Sequence, residues 1–447
     1  ADEKSDRLSF RVPANGGEDL VISYSLGEKD YLLDIAVTSP YSNKELRLEW
    51  MNYLDRIEYN TSYEKMYSTI YYKEAKEDTD HCSCTGEDKE VIEDRPLKWI
   101  SHANQFFNST LIAGESFDEA TLEILPMEED AEDMKLAKSF VNFKTNDSGN
   151  FDMQMYVGPN EFSRLRDMGM EMENIIPFGT SIFGTINRWV IRPLFDFFAN
   201  IVGIKGLAIV LLTFLVKLVL FPLTYRMLKS QSKMAALKPV LAKLKTKYKD
   251  DQQKQQMETM KTYREYGVSP LGGCMPMLLQ MPIWFALYRF FPASITFRQA
   301  SFLWARDLSS YDVIAWLPFE IPFYGDHVSL FTILWAISLI AYTYYNSRYM
   351  DFSAQPAMKY MQYLMPLMFL FYFNNFASGL SCYLFFSNVM NIMLNIGTKN
   401  YIIDQDKIKE ELMKNKDKPK KKGGFQARLE KALKEQQKIA EQNKKKK

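Results

Sequence analysis

The run 206–223 (GLAIVLLTFLVKLVLFPL) is apolar except for Thr213 and Lys217. A helix of that composition belongs in a bilayer, and there a mid-span cation costs roughly 2.5–3.5 kcal/mol. Five apolar stretches of the chain contain no Asp or Glu that would pair with Lys217. The spacing therefore calls for water, or an exchangeable anionic ligand, at the ammonium. The bland alternative is a lysine whose stem carries its charge to the interface. Eleven residues separate Lys217 from Gly206, about 16 Å of helix, which is a long reach.

A second set of polar residues shares one helical face. Ser381, Asn388, Asn391 and Asn395 follow one another at steps of seven, three and four, with Ser378 below them. Gln280, and Thr213 one turn before Lys217, add further polar groups. One Asn or Ser alone reads as a hydrogen bond between membrane helices. The set beside Lys217 reads as the lining of a hydrophilic groove.

Other chemistry is sparse. His81-Cys82-Ser83-Cys84 has C-x-C spacing and no second ligand cluster at zinc spacing, so thiol or local disulfide chemistry is expected there rather than metal. Cys274 and Cys382 read as free thiols in apolar surroundings. The chain has three histidines, no Gly-rich phosphate loop, no G-x-S-x-G and no H-E-x-x-H. Nothing pairs a nucleophile with a base, so no enzyme activity, metal or other cofactor is expected.

Elements that would position these residues can be read from periodicity. Five spans are expected at about 206–228, 271–292, 327–349, 358–376 and 379–397. Ahead of them, Ser181, Thr185, Arg188, Arg192, Asp196 and Asn200 form a polar stripe opposite apolar Ile182, Trp189, Phe197 and Ile201. That is an amphipathic helix suited to the membrane interface, within a segment 178–203. Segment 229–268 reads as a helical hairpin, with Met234, Leu237, Leu241 and Leu244 on one face, Asp250-Asp251 at the turn and Gly267 as stop.

Although the 447-residue chain has a net charge of zero, residues 1–177 hold 37 acidic against 18 basic residues, a net of −19, and the rest carries +19. Residues 226–268 carry 11 Lys and Arg against 4 acids, residues 398–447 carry 17 against 8, and loop 293–326 only two Arg against four acids. By the positive-inside rule the basic segments are cytoplasmic and residues 1–177 lie outside. Those residues read as an all-β sandwich. Strands are expected near 20–24, 31–36 (a hairpin across the 27–30 turn), 45–50, 65–72, 138–144 and 150–157, and 96–107 as a strand leading into a turn. An acidic loop is expected at 74–94. Residue 1 is Ala and no signal sequence precedes this acidic region, so a leading signal or anchor helix upstream of it is expected.

The expected organisation is thus a multi-domain membrane protein: a β-sandwich (1–177), an interfacial helix (178–203), an α-helical five-span core (204–400) with its hairpin, and a basic tail (401–447). Lys233, Lys238, Lys243, Lys245 and Lys247 on the hairpin, and Lys420, Lys421 and Lys422 in the tail, are candidates for docking a ribosome or another anionic partner. Plain topology explains the same charges. DNA is not an expected partner.

Gly267-Val268-Ser269-Pro270-Leu271-Gly272-Gly273-Cys274, running on to Gln280-Met281-Pro282-Ile283, resembles the signature of YidC-type membrane protein insertases. Leu215-Val216-Lys217 with Phe221-Pro222-Leu223-Thr224, Ser232-Lys233-Met234, Arg298-Gln299-Ala300, Leu303-Trp304, Asp307-Leu308-Ser309, Ser378-Gly379-Leu380 and Ser387-Asn388 are similar to that family too. So is Tyr156-Val157-Gly158-Pro159 at the end of the β region. The resemblance covers about 180–400 and implies an inner-membrane insertase and folding chaperone. It would take nascent membrane proteins, alone or beside the Sec translocon, through a groove holding one basic residue. Lys217 stands where the family usually has Arg, keeping the charge without the bidentate fork. Asn374-Asn375 stand where more apolar residues are expected. A reading from another class, a secondary transporter or ion-coupled channel centred on Lys217, predicts a repeat of the Lys217 segment, and the sequence contains none.

Overall fold

The computed structural model describes residues 7–13, 19–26, 31–128, 131–179, 181–249, 251–268, 275–347 and 356–416. The 27–30 turn, Ser269–Cys274, Lys420–Lys422 and the tail beyond residue 416 lie outside them.

Two compact units divide the chain. The first takes in Ala1–Phe221, Met277–Thr343 and Tyr360–Met393; the second takes in Pro222–Pro276, Tyr344–Lys359 and Leu394–Lys447.

The first unit begins with twelve strands and two short helices: β1 (Arg7–Pro13), β2 (Asp19–Leu26), β3 (Leu32–Thr38), β4 (Glu45–Asp55), α1 (Thr61–Tyr67), β5 (Thr69–Glu74), β6 (Thr79–His81), β7 (Asp88–Ile92), β8 (Leu97–Ala103), β9 (Phe107–Phe117), β10 (Glu119–Pro126), β11 (Asp133–Lys144), β12 (Asn150–Pro159) and α2 (Phe162–Met168). They form an eight-stranded sheet of order β1-β2-β3-β12-β9-β8-β5-β6 and a four-stranded sheet of order β4-β11-β10-β7. Both sheets turn one face to a common core. Val37, Ile100 and Leu111 come from the larger, and Leu54, Leu122 and Val141 from the smaller. Alternation drives this, as in β11, where Ala137, Ser139, Val141 and Phe143 point inward at period two.

Two expectations for this region are corrected. The stretch 65–72 is not one strand, because helix α1 occupies its first half. Asn60 caps that helix, its side chain accepting from Tyr63 N at 3.2 Å, and buried Glu64 accepts from the Ile57 and Glu58 amides at 3.0 Å each. The acidic 74–94 stretch is not all loop either. It contributes edge strands β6 and β7, where Asp80, His81 and Lys89 are exposed, as suits a sheet edge, while Asp88 and Glu90 are half-buried.

Next come α3 (Ser181–Ile186), a π-helical turn (Asn187–Ile191) and α4 (Arg192–Val202). This is the expected amphipathic segment, interrupted once. Its apolar Ile182, Trp189, Phe197 and Ile201 are exposed at 64, 62, 58 and 65%. Asn187, at the interruption, donates to Phe178 O (2.8 Å) and Ala286 O (2.7 Å).

Helices follow at each expected span: α5 (Lys205–Ala236), then, after α6 (Lys238–Lys247) and α7 (Gln252–Glu265), α8 (Met275–Ala293), α9 (Leu330–Ser347), α10 (Pro356–Phe373) and α11 (Ser378–Gly397). Among the described residues, α5 and the helical run Ser378–Ile402 are long and apolar enough to cross a membrane by length and composition. Helix α5 does not stop near 228 but continues to Ala236, because Leu228, Lys229, Gln231 and Lys233 are good helix formers. Between α8 and α9 lies a hairpin, β13 (Ala315–Ile321) and β14 (Gly325–Val328).

In the second unit, Asp251 caps α7 by accepting from Lys254 N at 2.9 Å, and Gly267 ends the turn after it at φ +67°. Leu228, Leu237, Tyr266 and Val268 pack with Ile408 and Leu412 of α12 (Gln405–Lys416).

Candidate functional site

Lys217 stands on the buried face of α5. Ala208, Ile209, Leu212, Thr213, Val216 and Lys217 are all buried, while Phe214, Leu218 and Val219 are 56, 57 and 68% exposed on the other side. With Lys217 only 4% exposed, the side chain faces the packed interior and not the apolar outer surface. Among the described residues no hydrogen bond or ion pair reaches its ammonium. Thr213 donates its hydroxyl proton to Ile209 O at 2.7 Å, inside its own helix.

The stripe on α11 is committed to α9. In the first unit Asn388 donates to Ser338 Oγ at 2.9 Å, and Thr332 meets Ser381 Oγ at 3.3 Å. In the second unit Asn395 donates to Asn346 Oδ1 at 2.7 Å, and Lys399 reaches the same oxygen at 3.3 Å. These are hydrogen bonds between helices, the role polar membrane residues commonly take. Asn391 and Gln280 are half-buried. The described contacts thus do not draw the stripe, Gln280 and Lys217 into one hydrogen-bonded cluster. Ser338, Asn346 and buried Lys399 were not singled out by sequence reading. The only signal for them was polarity within or just beyond an apolar run.

A second constellation sits at the end of the helices nearest the β-domain. The Asp312 carboxylate accepts from Ser329 Oγ (2.5 Å), from the Leu330 and Phe331 amides at the start of α9 (2.8 and 3.1 Å), and from Trp304 Nε1 (2.9 Å). A negative group at a helix N-terminus satisfies orphan amides and complements the dipole. Buried Asn374 donates to Tyr324 O (2.9 Å) and His327 O (2.8 Å), and its Oδ1 accepts from Ser329 N (3.0 Å). The carbonyls of Asp307, Leu308 and Ser310 receive Ser378 Oγ (2.7 Å), Gly379 N (2.9 Å) and Ser378 N (2.6 Å), which closes the start of α11. A Cβ at Gly379 would lie 2.9 Å from Leu308 O, so only glycine permits that approach. The Asp307-Leu308-Ser309 and Ser378-Gly379-Leu380 motifs are thereby explained as one knot. The Asn374-Asn375 pair belongs to it too.

The β-domain is joined to this end. Glu58 pairs with Arg298 at 2.7 Å, Asn60 donates to Asn375 O at 3.0 Å, and Gln105 donates to Pro292 O at 2.7 Å. Burial pushes the Glu58 carboxyl above its usual range, with the Arg298 hydrogen bond pulling the other way.

Of the basic docking candidates, Lys233 is held by Glu411 at 2.7 Å, and Lys229 joins the same carboxylate at 3.2 Å. Lys238 is half-buried, while Lys243, Lys245 and Lys247 are exposed on α6. Cys82 is buried and Cys84 half-buried, both as free thiols. Among the described residues no group of three His, Cys, Asp or Glu is placed to hold a metal.

A two-sheet β-domain with apolar helices, two of them among the described residues long and apolar enough to cross a membrane and one carrying a buried lysine that no described residue partners, fits the class of membrane proteins with a large extramembrane domain. The comparisons give the family. A model described as "60Kd inner membrane protein" matches residues 197–407, and one described as "YidC periplasmic domain" matches residues 1–197. The chain is 38% identical to the membrane protein insertase YidC of Parabacteroides distasonis, across 96% of this chain and 71% of that protein. It is 35% identical to that of Bacteroides fragilis, across 97% and 74%. A solved structure described as an active YidC insertase with its first transmembrane domain resolved is similar at a TM-score of 0.40 and 22% identity, covering 90% of this chain and 80% of that one. The chain belongs to the YidC family of membrane protein insertases, inner-membrane proteins with a periplasmic domain. The relatives are insertases, and the transporter reading is set aside.

Proposed function

We propose that the chain inserts nascent membrane proteins by lowering the dehydration barrier of their hydrophilic segments at Lys217. In this reading α5, α8, α9, α10 and α11 span the bilayer. The segment Ser181–Val202 lies in the interface, the β-domain is periplasmic, and α6–α7 with the tail are cytoplasmic. A hydrophilic segment entering lipid loses hydration, and an acidic one loses most. A buried cation without a partner offers such a segment one strong interaction part-way, after which the neighbouring apolar segment moves into lipid beside the spans. Thr213, Gln280, Ser381, Asn388, Asn391 and Asn395 are proposed as further polar contacts for the client. The ribosome and the Sec translocon are the proposed cytoplasmic and lateral partners, the first through Lys243, Lys245 and Lys247.

One observation carries the reading. Lys217 is 4% exposed and its ammonium has no partner among the described residues, an arrangement that costs stability and is therefore read as kept for function. The test is site-specific photocrosslinking from positions 213, 217 and 388 to ribosome-bound nascent chains. Crosslinks from 217 to the translocated segment are expected. Crosslinks from none of the three would sink the proposal.

A further inference from the structure

The β13–β14 hairpin ends in a turn of unusual composition. Tyr324 N donates to Ile321 O at 2.9 Å, Pro322 stands second in the turn, and Phe323 in third place has φ +67°. That is the pattern of a type II turn, whose third position favours Gly or Asn because other side chains are strained there. Phe323 is nevertheless aromatic and 91% exposed, and Phe319 on the same hairpin is 63% exposed. In water this arrangement would combine strain with an unpacked ring.

The hairpin is also fixed in place. Asn374 holds the Tyr324 and His327 carbonyls, and the Tyr324 ring meets Phe371 edge-on at 5.4 Å. Phe371 ends an exposed apolar row on α10 made with Leu364, Leu367 and Met368, which are 54, 50 and 61% exposed. That row meets the hairpin at Tyr324, the chain neighbour of Phe323. Residues 307–347 contain no Lys or Arg, and Glu320 and Asp326 are exposed, so attraction to anionic headgroups is not what would seat the hairpin.

We propose that the hairpin Ala315–Val328 sets Phe323 and Phe319 into the periplasmic leaflet, at the boundary between headgroups and acyl chains. Aromatic rings favour that depth. The apolar row leads to it, and the occupant is zwitterionic lipid. The proposal rests on reading α10 as a membrane span.

The test places a nitroxide at Phe323→Cys, Leu364→Cys or Glu93→Cys in the full chain, reconstituted in phosphatidylcholine vesicles. The signal of the labelled wild-type thiols is subtracted. Power saturation compares access by oxygen with access by a water-soluble nickel chelate. Oxygen should win at 364 and 323, and the chelate at 93. Oxygen winning at 364 with the chelate winning at 323 overturns the hairpin proposal and leaves the span intact. The chelate winning at 364 overturns the span reading, and the hairpin proposal with it. Phe319→Cys repeats the measurement should the turn not tolerate the label. A dependence of the 323 result on added anionic lipid would also overturn the apolar contact proposed.

Discussion

Asp312 and Lys217 are both ionisable side chains closed off in the same compact unit, 2% and 4% exposed. Four donors converge on the Asp312 carboxylate. No described residue reaches the Lys217 ammonium. A buried charge with saturated hydrogen bonds fixes structure, because each donor would otherwise be orphaned. A buried charge without partners costs the fold its desolvation and retains its capacity to bind. The end near the β-domain is therefore read as a clasp, and the middle of α5 as a receptor.

The largest expected effect of a single substitution is on the clasp. Asp312→Ala orphans two α9 amides and the Trp304 ring N–H, leaves the Ser329 hydroxyl only Thr332 Oγ1, and should lower stability by on the order of 3 kcal/mol. Thermal unfolding in detergent micelles measures this, and insertion should fall only as the folded fraction does. An unchanged melting temperature would break the comparison at its structural end.

His102 sharpens the comparison inside the β-domain, because it is only half satisfied. Its Nε2 meets Ser139 Oγ at 2.7 Å and its ring stacks on Trp50 at 3.7 Å, while Nδ1 is buried without a partner. Burial lowers its pKa to about 3 from an ordinary 6.5. Below pH 6.5 the unfolded chain therefore takes up a proton that the folded chain refuses. The His102 contribution to stability should be level above that pH and fall toward pH 3 by about 1.4 kcal/mol per unit. Denaturant unfolding followed through the β-sheet circular dichroism should show this slope, and His102→Gln should remove this residue's share of it.

At the receptor end, Lys217→Ala should not lower the melting temperature, since no described interaction is lost and an unpartnered buried charge is removed. It should slow insertion of a client with an acidic translocated segment roughly tenfold, the equivalent of about 1.4 kcal/mol. A neutral version of the same client should suffer less, and Lys217→Arg should retain activity. Reconstituted insertion of the paired clients measures this. Equal rates for both clients in Lys217→Ala would mean that the cation attracts nothing.

The smallest effect is expected where a charge pair meets solvent. Glu411 is held below the usual carboxylate range by its hydrogen bond to Lys233 and further by Lys229. That contribution is present above the unfolded pKa and is lost as pH falls through the depressed folded value. Its side chain is 39% exposed, so Glu411→Gln should cost no more than about 1 kcal/mol. A larger loss in the melting of the second unit would make this pair a clasp too.

Sequence alone determined the elements governed by local periodicity. The apolar run of α5, the amphipathic 181–202 segment, the Asp251 cap with the Gly267 stop, and the inward alternation along β11 each follow from residues a few positions apart. The charge split also stands in the sequence, because charges along a chain can be counted without a fold. Only the tertiary structure decided which polar residues are satisfied. Asn374 meets partners 45 to 50 positions away, Glu58 meets Arg298 across 240, and Asn60 meets Asn375 across 315. Spacing carries no trace of such pairs. For the same reason Asn388 and Asn395, alike on one helical face, were legible as polar but not as bonded to Ser338 and Asn346. Whether a buried polar group is a clasp or a receptor depends on what distant chain segments bring to it, and folding alone supplies that.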